Sequence, residues 1–253
     1  MKVEKLANEA RKVILTMVYN AQTSHIASNF SVVDIATVLY DNLEEKDEVV
    51  WSKGWSAATI YYFLAKQGKI KEEDLLKFPN PPYLGLAETT VPGVWCNGGS
   101  VGHGLSVAVG MALGKKLKGE QGTIYCIMSD GELNEGSVWE AVMFAAHHKL
   151  DNLVAVVDAN KWQAMGKTQE VMNLEPIQNR FRGFDWYAER VNGHDFIEIK
   201  KVLKKEKKHF PLVVVCDTVK GKGVSFMENH LLYHYKHVDE ETYNKALQEL
   251  ESK

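Results

Sequence analysis

Cysteine is scarce in this 253-residue chain: there are three, Cys96, Cys126 and Cys216, and no CxxC pair. That scarcity excludes a disulfide framework and a thiolate zinc site, and it suits a reducing compartment. Proline is equally sparse and unevenly placed. Four of the six prolines, Pro79, Pro81, Pro82 and Pro92, fall in one stretch, leaving most of the chain free of this breaker of helices and strands. There is no excess of one charge: 30 basic residues face 33 acidic ones, for a net −3. Such a balance gives no bulk pull toward nucleic acid or an anionic membrane. No apolar run approaches bilayer-spanning length, and the opening MKVEKLANEARK lacks the apolar core of a secretory signal. Walker and GxGxxG loops, internal repeats and low-complexity blocks are all missing. These absences predict a soluble, cytoplasmic protein with no nucleic-acid or membrane partner.

Hydrophobic residues make up 45% of the chain, enough for a sizeable core in a single domain spanning residues 1–253. Helical periodicity covers Glu4–Tyr19, Ala57–Gln67, Leu105–Lys118, Ser137–Lys149, Phe196–Lys205 and Glu240–Lys253. Ser31 is positioned to cap another helix after a polar segment, Asn20–Ser31. Lys71–Lys77 is a short helix, and Gly119 suits a left-handed helix end. Apolar runs predict strands at Glu48–Ser52, Thr123–Met128, Leu153–Asp158, Trp186–Val191 and Leu212–Asp217. This alternation predicts an α/β fold: a doubly wound, mostly parallel sheet with helices on both faces.

One stretch carries chemistry. Ser129-Asp130-Gly131 follows one strand and Asp158-Ala159-Asn160 the next, with Asp130 and Asn160 thirty residues apart. That spacing is one βαβ unit, so both polar side chains arrive at the same end of neighbouring parallel strands. A carboxylate oxygen of Asp130, the amide oxygen of Asn160 and a backbone carbonyl just beyond, at Trp162, would suit Mg²⁺ carrying a diphosphate. Gly131 has no side chain, so its N–H can approach a phosphate closely. Other features read more plainly. Adjacent His147 and His148 point apart on a helix, Asp195 beside His194 is a helix cap, and Lys200–Lys208 is a solvated helix face. Gly221-Lys222-Gly223 is too short for a phosphate loop. Cys126 and Cys216 belong to the core, and Trp139, Met143 and Phe144 to the core or a subunit interface.

The segment SDGELNEGSVWEAVMFAAHHKLDNLVAVVDANKWQAMGKT resembles the thiamine diphosphate signature. More narrowly, it is similar to the transketolase family. SHIASNFSVVDIATVLY, WSKGWSAATIYYFLA, VPGVWCNGGSVGHGLSVAVGMALG, NRFRGFDWYAERVNGHD and TVKGKGVSFMEN follow in the family's order over nearly the whole chain. The likeness is to the N-terminal, diphosphate-binding subunit of a split, two-chain transketolase. It implies that thiamine diphosphate and Mg²⁺ bind here, with Asp130 and Asn160 on the metal and Gly131 on the diphosphate. It implies that Gly99 and Val101 contact the cofactor and that Glu135 links the two cofactor sites of a dimer. His25 and His234 are implied near the reacting carbon.

The family's catalytic Glu lies in a pyrimidine-binding domain. The resemblance therefore implies a C-terminal partner subunit, an α₂β₂ assembly and a sugar or sugar-phosphate substrate. Three positions depart from the family pattern: Trp55 stands where it has a His that contacts cofactor and substrate, so the resemblance implies that Trp55 meets the cofactor, Leu86 replaces another His, and His103 stands where it has Gln. Fewer imidazoles and a more apolar pocket suggest a modified or non-phosphorylated sugar, or a 2-oxo acid donor. His103 is a candidate to restore a donor. A non-catalytic scaffold is the reading from another class, and the intact Asp130, Gly131 and Asn160 argue against it.

Overall fold

The computed structural model describes residues 2–205 and 209–253. Helices α1 (Lys2–Ala21) and α2 (Ile26–Asp41) lead into strand β1 (Glu48–Trp51), followed by α3 (Ala57–Lys66) and α4 (Gly104–Lys118). Then come β2 (Ile124–Ser129), α5 (Gly136–His147), β3 (Leu153–Ala159), α6 (Thr168–Val171) and α7 (Ile177–Arg182). The chain closes with β4 (Tyr187–Asn192), α8 (Phe196–Leu203), β5 (Leu212–Asp217) and α9 (Glu240–Glu251). The strands form one sheet in the order β1-β2-β3-β5-β4, and every pairing is parallel.

Strand side chains alternate between two cores. Tyr125, Ile127, Val154, Val156 and Val214 pack with apolar residues of α1, α2, α3, α8 and α9. Cys126, Met128, Ala155, Val157, Val213 and Val215 pack with those of α4, α5 and α7 on the opposite face. Both faces are therefore covered, as an all-parallel sheet requires, and β3 is buried along its whole length. Each fully buried aliphatic side chain contributes about 1.5–3 kcal/mol, so this double core dominates the stability. Cys126 and Cys216 are buried free thiols.

Most predicted elements are present within a residue or two. The start of α2 is a correction. Ser31 does not cap it; the helix begins five residues earlier, at Ile26, after His25 in a left-handed conformation (φ 71°). The polar residues Ser28, Asn29 and Ser31 are buried within the helix. Ser31 Oγ donates instead to Ser28 O (3.2 Å) and to Asp158 Oδ2 (2.7 Å). A distant partner thus satisfies what looks locally like a capping signal. On α5, Met143 and Phe144 are about half exposed and lie outside both cores. Residues 206–208 of the predicted lysine-rich face lie outside the described residues. Among the described residues, no helix is long and apolar enough to cross a membrane.

Parallel register brings the carboxyl ends of the strands to one edge. Ser129 of β2 pairs with Asp158 of β3, and Ala159 of β3 with Asp217 of β5. Under the loops at this edge, two backbones cross in contact. A Cβ on Gly54 would meet Gly98 Cα at 2.2 Å, so glycine alone allows the crossing.

Candidate functional site

The carboxyl edge opens on a cavity of about 420 Å³. His25, Trp55, Val101, Gly131, Glu135, Asn160, Trp162 and His234 all line it. Segments far apart in sequence therefore converge on one cavity. Asp130 stands just behind this wall and borders a small adjoining hollow with Lys161 and Thr168. Gly99 joins through its carbonyl, which accepts a hydrogen bond from Trp55 Nε1 (3.2 Å). His103 is not brought to the cavity; it stands exposed at the start of α4. Leu86 is half-buried beneath Gly99, where an added Cβ would lie 3.4 Å from Leu86 Cδ1.

On the β2–β3 side, Asp130 and Asn160 are 3% and 2% exposed. Asp130 Oδ1 accepts from Gly131 N (3.0 Å), and its Oδ2 accepts from Lys161 N (2.8 Å) and Thr168 Oγ1 (3.0 Å). Each of these donors is neutral. Burial, followed by repulsion from Asp158, raises the Asp130 pKa to about 7. Asn160 Oδ1 accepts from Trp162 N (3.1 Å), and Asn160 Nδ2 donates to Asp158 Oδ2 (3.3 Å).

Two buried ionisable residues in the cavity lining, Lys53 and Glu132, are not legible in the sequence. Lys53 Nζ donates to Ser28 O (2.7 Å), Ser31 Oγ (3.1 Å) and Asp158 Oδ2. Burial opposes the Asp158 charge most strongly, but the Lys53 charge and hydrogen bond, together with hydrogen bonds from Thr218 and Ser31, outweigh it and lower the pKa. Glu132 Oε1 accepts from Ser129 N (2.6 Å), and its Oε2 accepts from Gly102 N (3.0 Å) and from Ser52 Oγ. Burial dominates there and raises the Glu132 pKa. Glu132 ties together the ends of β1 and β2 and the turn before α4. Its local signal was an acid beside Asp-Gly, which says nothing of partners 30 and 80 positions away.

The opposite wall is aromatic. His25 stacks on Trp55 with ring centroids 4.4 Å apart and an interplanar angle of 21°. His234 meets the His25 ring edge-on at 4.7 Å, and Tyr235 approaches it at 5.8 Å. Ser24 Oγ lies 2.6 Å from His25 Nδ1, and His25 N donates to His234 O (3.0 Å). Both imidazoles are neutral. Burial, then the charges of Lys220 and Lys53, lowers the His25 pKa to about 4. Burial, then Lys220, His25 and Lys53, lowers that of His234 to about 3. The two can therefore exchange hydrogen bonds with a ligand without bringing charge into the cavity.

A larger hollow of about 710 Å³ lies between α1, the start of α8 and the end of the chain, near Arg11, Asp34 and His194. Its lining includes none of the residues expected to meet the metal, the diphosphate or the sugar. Volume alone therefore does not decide where the chemistry is, and the smaller cavity remains the candidate.

The family model described as "Transketolase, thiamine diphosphate binding domain" matches residues 3–250. The chain is 36% identical over 262 residues to a 6-deoxy-6-sulfo-D-fructose transketolase subunit of Clostridium sp. (strain MSTE9), covering 97% of this chain and 94% of that protein. It is 35% identical to one of the subunits of an apulose-4-phosphate transketolase from Phocaeicola vulgatus, covering 99% of this chain and 95% of that protein. Among solved structures, the transketolase of Campylobacter jejuni superposes with a TM-score of 0.92 at 28% identity, covering 99% of this chain and 43% of that one. The chain thus spans less than half the length of that transketolase.

Proposed function

Because the chain belongs to the transketolase family, as its N-terminal, thiamine diphosphate-binding unit, we propose that it works as one subunit of a two-chain enzyme moving a two-carbon ketol unit between sugars. The observation that carries this reading is the pair Asp130 and Asn160, buried side by side at the ends of adjacent parallel strands. Relatives named as subunits support the need for a partner chain. A pyrimidine-binding partner, an α₂β₂ assembly, a single domain in this chain and a cytoplasmic location complete the proposal.

The residues present fit Mg²⁺. Asp130 and Asn160 offer only oxygen donors to a cation, and the buried Asp130 carboxylate accepts only neutral hydrogen bonds among the described residues. A hard divalent ion would supply the missing countercharge. Asp130, Asn160 and the Trp162 carbonyl would hold it, with Gly131 and Gly99 leaving room for phosphates and Val101 supporting the cofactor. When bound, thiamine diphosphate supplies the carbon nucleophile and the electron sink needed to break a bond next to a sugar carbonyl. His25 and His234, both neutral, bind and orient the sugar's oxygens. Trp55 excludes water from that side and holds the His25 ring by stacking. Glu135, exposed at the cavity rim, links the paired sites of the assembly.

The Trp55–His25 stack favours a second, narrower reading. The sugar is a modified or non-phosphorylated one, matched to an aromatic wall rather than to a cluster of imidazoles. One experiment tests both readings. The chain is mixed with a pyrimidine-binding transketolase subunit, thiamine diphosphate and Mg²⁺, and assayed against ordinary and modified sugars. Cofactor-dependent ketol transfer supports the first reading, and preference for a modified sugar supports the second. No calorimetric heat of cofactor binding and no transfer on any sugar would leave a scaffold role instead.

A further inference from the structure

The loop after β5 carries Lys220, whose side chain is 1% exposed despite its charge. Its backbone is pinned on both sides. Asn229 N donates to Lys220 O (2.8 Å), and Gly221 N donates to Ala27 O (3.0 Å). The preceding Val219 N donates to His194 Nε2 (2.8 Å), and His194 Nδ1 lies 2.7 Å from Asp34 Oδ2. So anchored, Lys220 reaches its Nζ to within 2.6 Å of His234 Nδ1.

A lysine ammonium has three donors and no acceptor. Its partner nitrogen on His234 must therefore carry no proton. Burial, then repulsion from Lys53, lowers the Lys220 pKa only to about 8, with Asp130 and Asp158 pulling the other way, so the ammonium form prevails at neutral pH. His234 is neutral there and keeps one ring proton. With Nδ1 taken, that proton sits on Nε2. Among the described residues, the His25 and Tyr235 rings also pack against this imidazole, and the Lys53 charge acts on it through space.

We propose that Lys220 is a positioning residue: its ammonium locks His234 in the Nε2–H tautomer, so that His234 meets the oxygens of the sugar as a hydrogen-bond donor. The inference rests on the cavity being the sugar site proposed above. Lys220 itself is not among the residues lining the cavity, so it acts through His234 rather than on the substrate.

The full chain, labelled with ¹⁵N-histidine, is examined by NMR at pH 7, the His234 signals being assigned by their loss in His234→Gln. The expected spectrum has a protonated Nε2 and a hydrogen-bond-accepting Nδ1. Lys220→Met should release the ring into a mixture of tautomers, whereas Lys220→Arg, which keeps a donor, should preserve it. With partner subunit, cofactor and sugar, Lys220→Met should lower kcat by about tenfold to a hundredfold, the worth of a hydrogen bond to a charged group, with cofactor affinity unchanged. A wild-type His234 protonated on Nδ1 overturns the proposal without any Lys220 variant having to fold. So does an unchanged tautomer in a folded Lys220→Met protein. If the tautomer shifts as expected but the wild-type mixture transfers no ketol unit, the Lys220–His234 coupling stands and the sugar-site role of His234 is overturned.

Discussion

The two walls of the cavity are built on different principles. The wall bearing Asp130 and Asn160 hangs from β2 and β3, whose register is held by a parallel ladder and a core on each face. Its side chains are buried oxygen donors with fixed backbone partners. The wall bearing His25, Trp55 and His234 is assembled from loop and helix-end residues that meet through ring contacts. Strand ends hold a position to fractions of an ångström, while ring stacks tolerate exchange of one ring for another. The first wall suits an invariant cofactor, and the second is where a substrate preference can change without disturbing the fold.

That contrast breaks first at Asp130. Asp130→Asn keeps the hydrogen-bond acceptor but removes the charge. Affinity for Mg²⁺ with thiamine diphosphate, measured by calorimetry with the partner subunit present, should drop by more than about 100-fold, since even outer partners of a metal site are worth about 10–100-fold. Unchanged binding heat would remove Asp130 from the metal site. Next comes Glu132, the floor shared by both walls. In Glu132→Gln one amide N–H faces a donor that the carboxylate now satisfies, which should cost about 2 kcal/mol in urea unfolding. An unaltered midpoint would mean that the carboxylate network contributes nothing net.

Trp55→His sharpens the contrast from the other side. Preference between a modified and an ordinary sugar phosphate should shift by about tenfold in kcat/KM, the scale of a single altered pocket contact. Cofactor affinity should stay within about threefold. A loss of cofactor binding instead would show that the two walls are not separable.

The remaining effect is on stability in acid. The folded-state pKa of His25 is depressed to about 4 from 6.5. Between those values the unfolded chain binds more protons, so stability falls as pH drops through that window and is unaffected above it. His25→Gln should therefore lose about 2 kcal/mol less than wild type between pH 7 and pH 4.5. Equal losses in urea titrations at the two pH values would show that His25 is not held neutral.

Legibility in the sequence followed the same divide. The strand ends, the Asp130–Asn160 spacing and the Asp195 cap of α8, whose Oδ1 accepts from Ile197 N and Glu198 N, were readable because each is set by residues close along the chain. The start of α2 is hidden in the sequence because Ser28, Asn29 and Ser31 look like a polar loop until their buried partners are known. Nothing near Lys53 along the chain signals its role, because its partner Asp158 is 105 positions away. Lys220 stood beside a short Gly-Lys-Gly segment with no phosphate-binding length, and only the fold aims it at an imidazole.

Apolar periodicity and motif order, taken from the sequence by themselves, determined the parallel α/β class, the strand ends that carry Asp130 and Asn160, and the likeness to a thiamine diphosphate-binding family. Periodicity is a local property, and the βαβ unit turns that local order into position. Tertiary structure alone decided which buried charges are paired, that His103 stays outside the cavity while His25, Trp55 and His234 meet in it, and that both imidazoles are neutral. Those outcomes depend on desolvation and on contacts between segments far apart in the chain, which no stretch of sequence contains by itself.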